Sequence, residues 1–356
     1  MLVFDLKNTT LIDVFLQRYQ KWCRQRLLMD PDCGGSLLSD EPGGIPCFRS
    51  YEVDKINQCE NLLVAIDSLK EGLHEIQYFN QYRKDHHYII FSGCWWDTTK
   101  HKLDIPYTLI FSNFLLYEII GHYLNPDSDF FYQYHNYIFD YPKPLCFVSV
   151  NGSPRQHRIT FQNKLINQIP YQNFIFKLDG IDYGQDSSCF DFIKKTNDLS
   201  LPDIFLQKFG HYTQGYKAQW MSYPYKIYDQ SYFQIVLETD FQNQNQFFLT
   251  EKTVRPLMSG QPFVVAATPN FLDHLHSMGF RTYNLLWNEN YDSIINDRDR
   301  LQALVTLCIE LENFDWNVHR QELIDIANHN RSQFFDLARQ SDLEFVDFEK
   351  TLKTFI

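Results

Sequence analysis

The chain has 356 residues, 44% hydrophobic and 17% aromatic, with 32 Lys and Arg against 44 Asp and Glu for a formal net charge of −12. That length suits two domains at ~100–200 residues each. The acidic balance, with no basic run beyond short clusters such as Lys21 to Arg26, argues against a tightly held nucleic acid, whose phosphates call for a basic face.

Residues 1–30 read as helical, with Leu11, Val14, Phe15, Tyr19 and Trp22 at helical spacing. The start, Met1-Leu-Val-Phe-Asp-Leu-Lys7, lacks a basic segment followed by a long apolar one, so no signal peptide is expected. No run approaches ~18 apolar residues, so no transmembrane segment is expected either. Asp30 to Pro46, rich in Gly, Pro, Asp and Ser, reads as a loop, and 57–78 as a second amphipathic helix. His87-Tyr-Ile-Ile-Phe-Ser-Gly93 and Tyr107-Thr-Leu-Ile-Phe111 read as buried strands. Between them, Cys94-Trp-Trp-Asp-Thr-Thr-Lys100 leaves a strand end, where open α/β sheets bind ligands. Eight cysteines without a C-x-x-C, several in apolar runs, read as buried reduced thiols in a cytoplasmic protein.

Pro142 and Pro144 mark a linker, dividing the chain into an N-terminal α/β domain (1–143) and a second domain (144–356). The second domain reads as strand 145–150, helix 157–169, strand 173–178, strand 233–238, helix 251–259, strand 262–267, helix 270–278 and strand 280–286. This alternation predicts a parallel sheet with right-handed crossovers. Pro269 at a first helical position and Gly279 just past the end bracket one helix. Helices over 298–312, 319–336 and 342–353 close the chain. The Asn- and Gln-rich stretch Asp240 to Gln246 reads as a loop over a site.

Two segments carry chemistry. Phe248-Leu-Thr-Glu-Lys252 opens a helix whose first turn holds Thr250, Glu251 and Lys252, followed by a Gly stop and a buried strand. A helix start has free N–H groups and partial positive charge, which suit a phosphate. Lys252 adds a full charge, and Glu251 offers a carboxylate to a ribose hydroxyl, so the combination suits a nucleotide sugar. The same segment also reads as a capped surface helix with an exposed Glu-Lys pair. Leu145-Cys-Phe-Val-Ser-Val-Asn151 is a strand ending in Asn-Gly-Ser-Pro, and Arg155 and Arg158 stand at the start of the next helix. Arginine's planar fork matches two phosphate oxygens, and two such starts point to a shared anion site. A nucleotide sugar needs only a small basic pocket, which an acidic protein can supply locally. The 22 tyrosines suit both a core and a carbohydrate-facing groove.

The stretch from Cys146 to Leu165, with Phe248-Leu-Thr-Glu-Lys252, resembles the donor-binding half of the alpha-1,3-fucosyltransferase family and its bacterial relatives, over roughly residues 145–290. Gly279-Phe-Arg-Thr-Tyr283 and Asn290 to Arg298 also resemble phage and bacterial glycosyltransferase-like proteins, which makes the family a better match than fucose itself. The resemblance implies two Rossmann-like domains facing a cleft, the GT-B layout, with helices at the C-terminus. It implies Arg158 and Lys252 on the donor diphosphate and Glu251 on the ribose, with Asn151, Arg155 and Thr250 completing the donor site. It implies an inverting, metal-independent transfer from a nucleoside-diphosphate sugar, GDP-linked before others, to a glycan-type acceptor, with no tightly bound cofactor.

The general base is the departure. In the family a Glu follows a Ser/Thr-Gly turn in the N-terminal domain, whereas here Ser92-Gly93 is followed by Cys94. Asp97 is the nearest carboxylate and Glu118 the next, though Glu118 also reads as a paired core residue. The missing Glu leaves a second reading open, a catalytically inactive nucleotide-sugar-binding or scaffold protein of the same fold. Asp127-Ser-Asp129 follows Asn-Pro and reads as a turn before a metal site. His274-Leu-His276 on a helix points two ways, so a shared metal is not expected. No Gly-x-Ser-x-Gly, Gly-x-Gly-x-x-Gly or Walker loop occurs, which counts against hydrolase, dehydrogenase and NTPase chemistry.

Overall fold

The structure, a computed structural model, describes residues 36–37, 45–49, 51–60, 63–68, 77–92, 95–96, 102–111, 137–151, 155–166, 168, 174–178, 228–242 and 246–352. It is a mixed α/β chain built on parallel sheets. Two compact units divide it: residues 1–126 with 245–249 and 335–356, and residues 127–244 with 250–334.

In the first unit, five strands run β1 (Ser36–Leu37), β2 (Ile45–Arg49), β3 (Leu63–Ser68), β4 (His87–Ser92) and, beyond the short β5 (Trp95–Trp96), β6 (Tyr107–Phe111). They lie in the order β1-β2-β3-β4-β6, all neighbours parallel except the antiparallel β1–β2 pair. Phe48, Ile66, Ile90 and Leu109 fall in one register row across four strands. Val64, Tyr88 and Ile90 are buried with Ile56, Phe79, Tyr82, Leu103 and Ile105. The helix expected over 57–78 is interrupted, because 63–68 form a strand. A short helix α1 (Val53–Gln58) is followed by β3. The run Leu62-Leu-Val-Ala-Ile66 is continuously apolar, and periodicity cannot tell such a run in a buried strand from one in a helix. Paired in parallel between β2 and β4, it becomes a strand. The expected strands 87–93 and 107–111 appear as β4 and β6.

The second unit holds β7 (Leu145–Asn151), β8 (Phe174–Leu178), β9 (Ser231–Leu237) and β11 (Phe263–Ala266), while β10 (Gln246–Phe247), which pairs with β5, belongs to the first unit. Its sheet order is β8-β7-β9-β11, every neighbour parallel. Helices α2 (Gln156–Ile166), α3 (Glu251–Ser259), α4 (Phe271–Ser277) and α5 (Asp297–Glu312) follow, and α6 (Arg320–Leu352) begins in this unit, its residues from 335 on belonging to the first. Among the described strands, β7 has its sequence successor β8 on one side and β9 on the other, so the order reverses between β7 and β9. Such a reversal opens a crevice at the carboxyl ends of the strands.

Three local expectations change. The segment 280–286 is irregular rather than a strand. Its apolar residues serve packing, with Tyr283 stacked on Trp287 at 4.6 Å and edge-on to Phe263 at 5.5 Å. Pro269 precedes the N-cap Asn270 instead of opening α4, and the helix start is closed from a distance, Asp292 Oδ2 accepting from Leu272 N at 2.8 Å. The two helices expected over 319–336 and 342–353 are one, because Leu337-Ala-Arg-Gln-Ser341 between them contains no helix breaker. Gly279 does follow α4 with φ +84°, as its position past the helix end requires. Among the described residues no helix is long and apolar enough to cross a membrane.

Candidate functional site

The carboxyl end of β9 is the centre of the polar chemistry in the second unit. Beyond Leu237, Glu238 is fully buried. Its carboxylate accepts from Thr250 Oγ1 and Thr253 Oγ1, both at 2.5 Å, from Thr250 N at 3.3 Å and from Thr239 N at 3.2 Å. Thr250 is the N-cap of α3 and also accepts from Lys252 N at 3.3 Å. A capped start with an αL Gly260 stop is what the sequence Thr-Glu-Lys…Ser-Gly encodes. Lys252 is half-buried, and its Nζ reaches Thr250 Oγ1 at 3.4 Å and Thr239 Oγ1 at 3.5 Å.

The neighbouring strand end brings the other expected residues to the same place. Asn151, the last residue of β7, is buried and donates from Nδ2 to Ser149 Oγ at 3.0 Å. Ser149 Oγ in turn donates to Ile235 O of β9 at 2.8 Å. Arg155, exposed, precedes α2, and its carbonyl accepts from Arg158 N and Ile159 N. Arg158 is only 2% exposed, and its Nη2 donates to Leu237 O at 2.9 Å and Glu238 O at 3.1 Å. The guanidinium therefore braces the end of β9 from beneath, a task the sequence did not suggest for it.

Two further residues hold this corner. His157 Nε2 faces Glu238 O at 3.0 Å, and a carbonyl can only accept, so that nitrogen carries the proton. Burial first, then the charge of Arg158, pushes the imidazole down to about 3, which keeps it neutral. Its ring stacks on Phe241 at 5.1 Å, and the Arg300 guanidinium covers the Phe241 ring at 4.2 Å. Arg300 also donates to Phe241 O at 2.5 Å and Ile294 O at 2.7 Å. The segment leaving β9 is thus clamped by an imidazole and two guanidiniums.

Asn151, Arg158, Thr250 and Lys252 are brought together around Glu238, with Arg155 one helical turn before Arg158. The backbone of Glu251 lies in the first turn of α3, while its side chain lies outside the described residues, as do Asp97 and Glu118. Sequence reading missed Glu238, His157, Thr253 and Arg300. The available signal for Glu238 was a lone carboxylate ending an apolar strand, a position that demands a donor set when buried. Among the described residues no group of three or more His, Cys, Asp and Glu is arranged to hold a metal ion. A separate groove of about 390 Å³, lined by His276, Arg281, Thr282, Leu285, Glu322 and Asp325 among others, shares no residue with this corner. No protein-family model matches the chain, and no curated protein matches it.

Proposed function

We propose that the chain is a glycosyltransferase of GT-B layout, moving a sugar from a nucleoside-diphosphate donor, GDP-linked before other bases, to a glycan-type acceptor in the cytoplasm. The reading is supported by one observation: four of the residues expected at a donor site, Asn151, Arg158, Thr250 and Lys252, gather at the carboxyl ends of β7 and β9, where the strand order reverses. Open parallel sheets bind ligands at such a point. The α3 start supplies N–H groups and the Lys252 ammonium, a combination suited to a diphosphate. In this reading Lys252 and Arg155 meet the phosphates, Glu251 the ribose, and Arg158 supports the floor. As the acceptor hydroxyl attacks the anomeric carbon, a base takes its proton, Asp97 first and Glu118 second in candidacy. The charge developing on the leaving diphosphate is met at α3.

Calorimetry with GDP, UDP and CMP tests the donor site. GDP is expected to bind, with Lys252→Ala weakening it about ten- to a hundredfold, the worth of a charge-assisted contact. Bare guanosine binding should barely change in that variant, whereas Glu251→Ala should weaken both ligands. Absence of binding of any of the three nucleotides near millimolar concentration ends this reading. The competing reading, a nucleotide-sugar-binding protein without turnover, rests on Cys94 standing where the family has Glu. It requires binding with neither donor hydrolysis nor transfer, and turnover with any acceptor removes it.

A further inference from the structure

We infer that Glu238 is a positioning residue for the Lys252 ammonium, acting through the hydroxyls of Thr250 and Thr239. The hydrogen count leads there. A threonine hydroxyl has one proton, and Thr250 gives it to Glu238 Oε2 at 2.5 Å. Its lone pairs are thereby turned toward Lys252, accepting from the backbone N at 3.3 Å and from Nζ at 3.4 Å. The same Oε2 accepts from Thr239 N at 3.2 Å and so fixes the residue whose Oγ1 stands 3.5 Å from Nζ. Oε1 is occupied on the other side by Thr253 Oγ1 and Thr250 N. All four donors to the carboxylate are neutral, and the ammonium lies one hydroxyl away from it. The negative charge is buried, its orienting effect is carried through Thr250, and the ammonium is held at the strand end.

A glutamine at this position has the same shape and cannot reproduce the pattern. One of its two terminal atoms is an amide nitrogen, which donates. Facing Thr250 and Thr239 N, it forces the Thr250 proton to turn toward the Lys252 donors. Facing Thr253 and Thr250 N, it sets donor against donor at Thr250 N and forces the Thr253 hydroxyl to accept instead of donate. Either orientation loosens the Thr250 hydroxyl, which loses its acceptor in the first and donates to a neutral amide oxygen in place of a carboxylate in the second. A carboxylate retained only to cap α3 would leave the Lys252 side chain indifferent to the exchange.

The consequence for phosphate binding rests on the nucleotide reading above, but the placement of Nζ can be measured without a nucleotide. Acylation of Lys252 in the folded full chain, followed by mass spectrometry, should speed up by about threefold or more in Glu238→Gln, as expected for contacting neighbours. In GDP calorimetry, Lys252→Ala should cost about ten- to a hundredfold in the parent and less than about threefold in the Glu238→Gln background. Thr239→Val, at a half-buried position that leaves the carboxylate and its backbone donor intact, should also speed acylation, and it decides the matter should Glu238→Gln fail to fold. Unchanged Lys252 acylation in the folded variants overturns the inference, as does an equal cost of Lys252→Ala in both backgrounds. Faster acylation in a protein that binds none of GDP, UDP and CMP supports the inference while ending the nucleotide reading.

Discussion

Arg158 and Lys252 look alike in the sequence, each a cation at a helix start, yet the structure gives them different work, and substitution separates the two. Arg158→Ala removes the Nη2 contacts to Leu237 O at 2.9 Å and Glu238 O at 3.1 Å, at a site 2% exposed. Hydrogen bonds from a charged donor are worth about 1.5–3 kcal/mol, and truncation adds a cavity. Two effects soften the loss: Glu238 O keeps His157 Nε2, and a buried guanidinium no longer has to be desolvated. The net is a destabilisation of about 2–4 kcal/mol. In a unit of roughly 200 residues, each kcal/mol moves the melting midpoint by about 2–4 °C, so a fall of about 4–16 °C is expected. Lys252→Ala removes contacts at 3.4 and 3.5 Å from a half-buried side chain and should change stability by no more than about 0.5 kcal/mol. Thermal melts of both variants, with and without GDP, make the comparison. An Arg158→Ala protein that keeps the parent midpoint while losing GDP as Lys252→Ala does would refute the brace and make Arg158 a ligand contact.

Gly260 ends α3 at φ +79°, and a Cβ there would lie 2.7 Å from Ala327 Cβ, so Gly260→Ala should cost about 2–4 kcal/mol by denaturant titration. Phe241→Ala removes the ring between His157 and Arg300 and should destabilise by about 3–5 kcal/mol in the same assay, with GDP affinity falling as the segment after β9 loosens. Asp292, 6% exposed, is pushed up to about 7, mainly by burial. Its folded pKa lies above the unfolded one, so the native state binds the extra proton and this stabilisation is present at low pH and lost as pH rises toward 7. The stability of the parent relative to Asp292→Asn should therefore fall by about 1.4 kcal/mol per pH unit between about 5 and 7 and level off above. A flat difference across that window would show that Asp292 is ionised throughout.

The parts of the fold that were legible in sequence are those where one physical signal acts alone. The run Leu145-Cys-Phe-Val-Ser-Val is a buried strand in any α/β context, and Thr250 with Gly260 brackets α3 by capping chemistry that is local to the chain. Where two states bury the same residues, the sequence does not choose. Leu63–Ser68 satisfies a helix as well as a strand until β2 and β4 are there to pair with it, and Tyr283 and Trp287 are apolar in the manner of a strand although their burial comes from stacking on each other. The candidate site divides in the same way. A helix start with a lysine can be seen without a structure, because its N–H groups belong to one segment. The role of a buried carboxylate depends on which donors reach it, and the two hydroxyl donors to Glu238 come from residues 12 and 15 positions further on, across β10. Arg158 shows the same dependence, since only the close approach of β9 distinguishes an arginine that grips two carbonyls from one that waits for a phosphate.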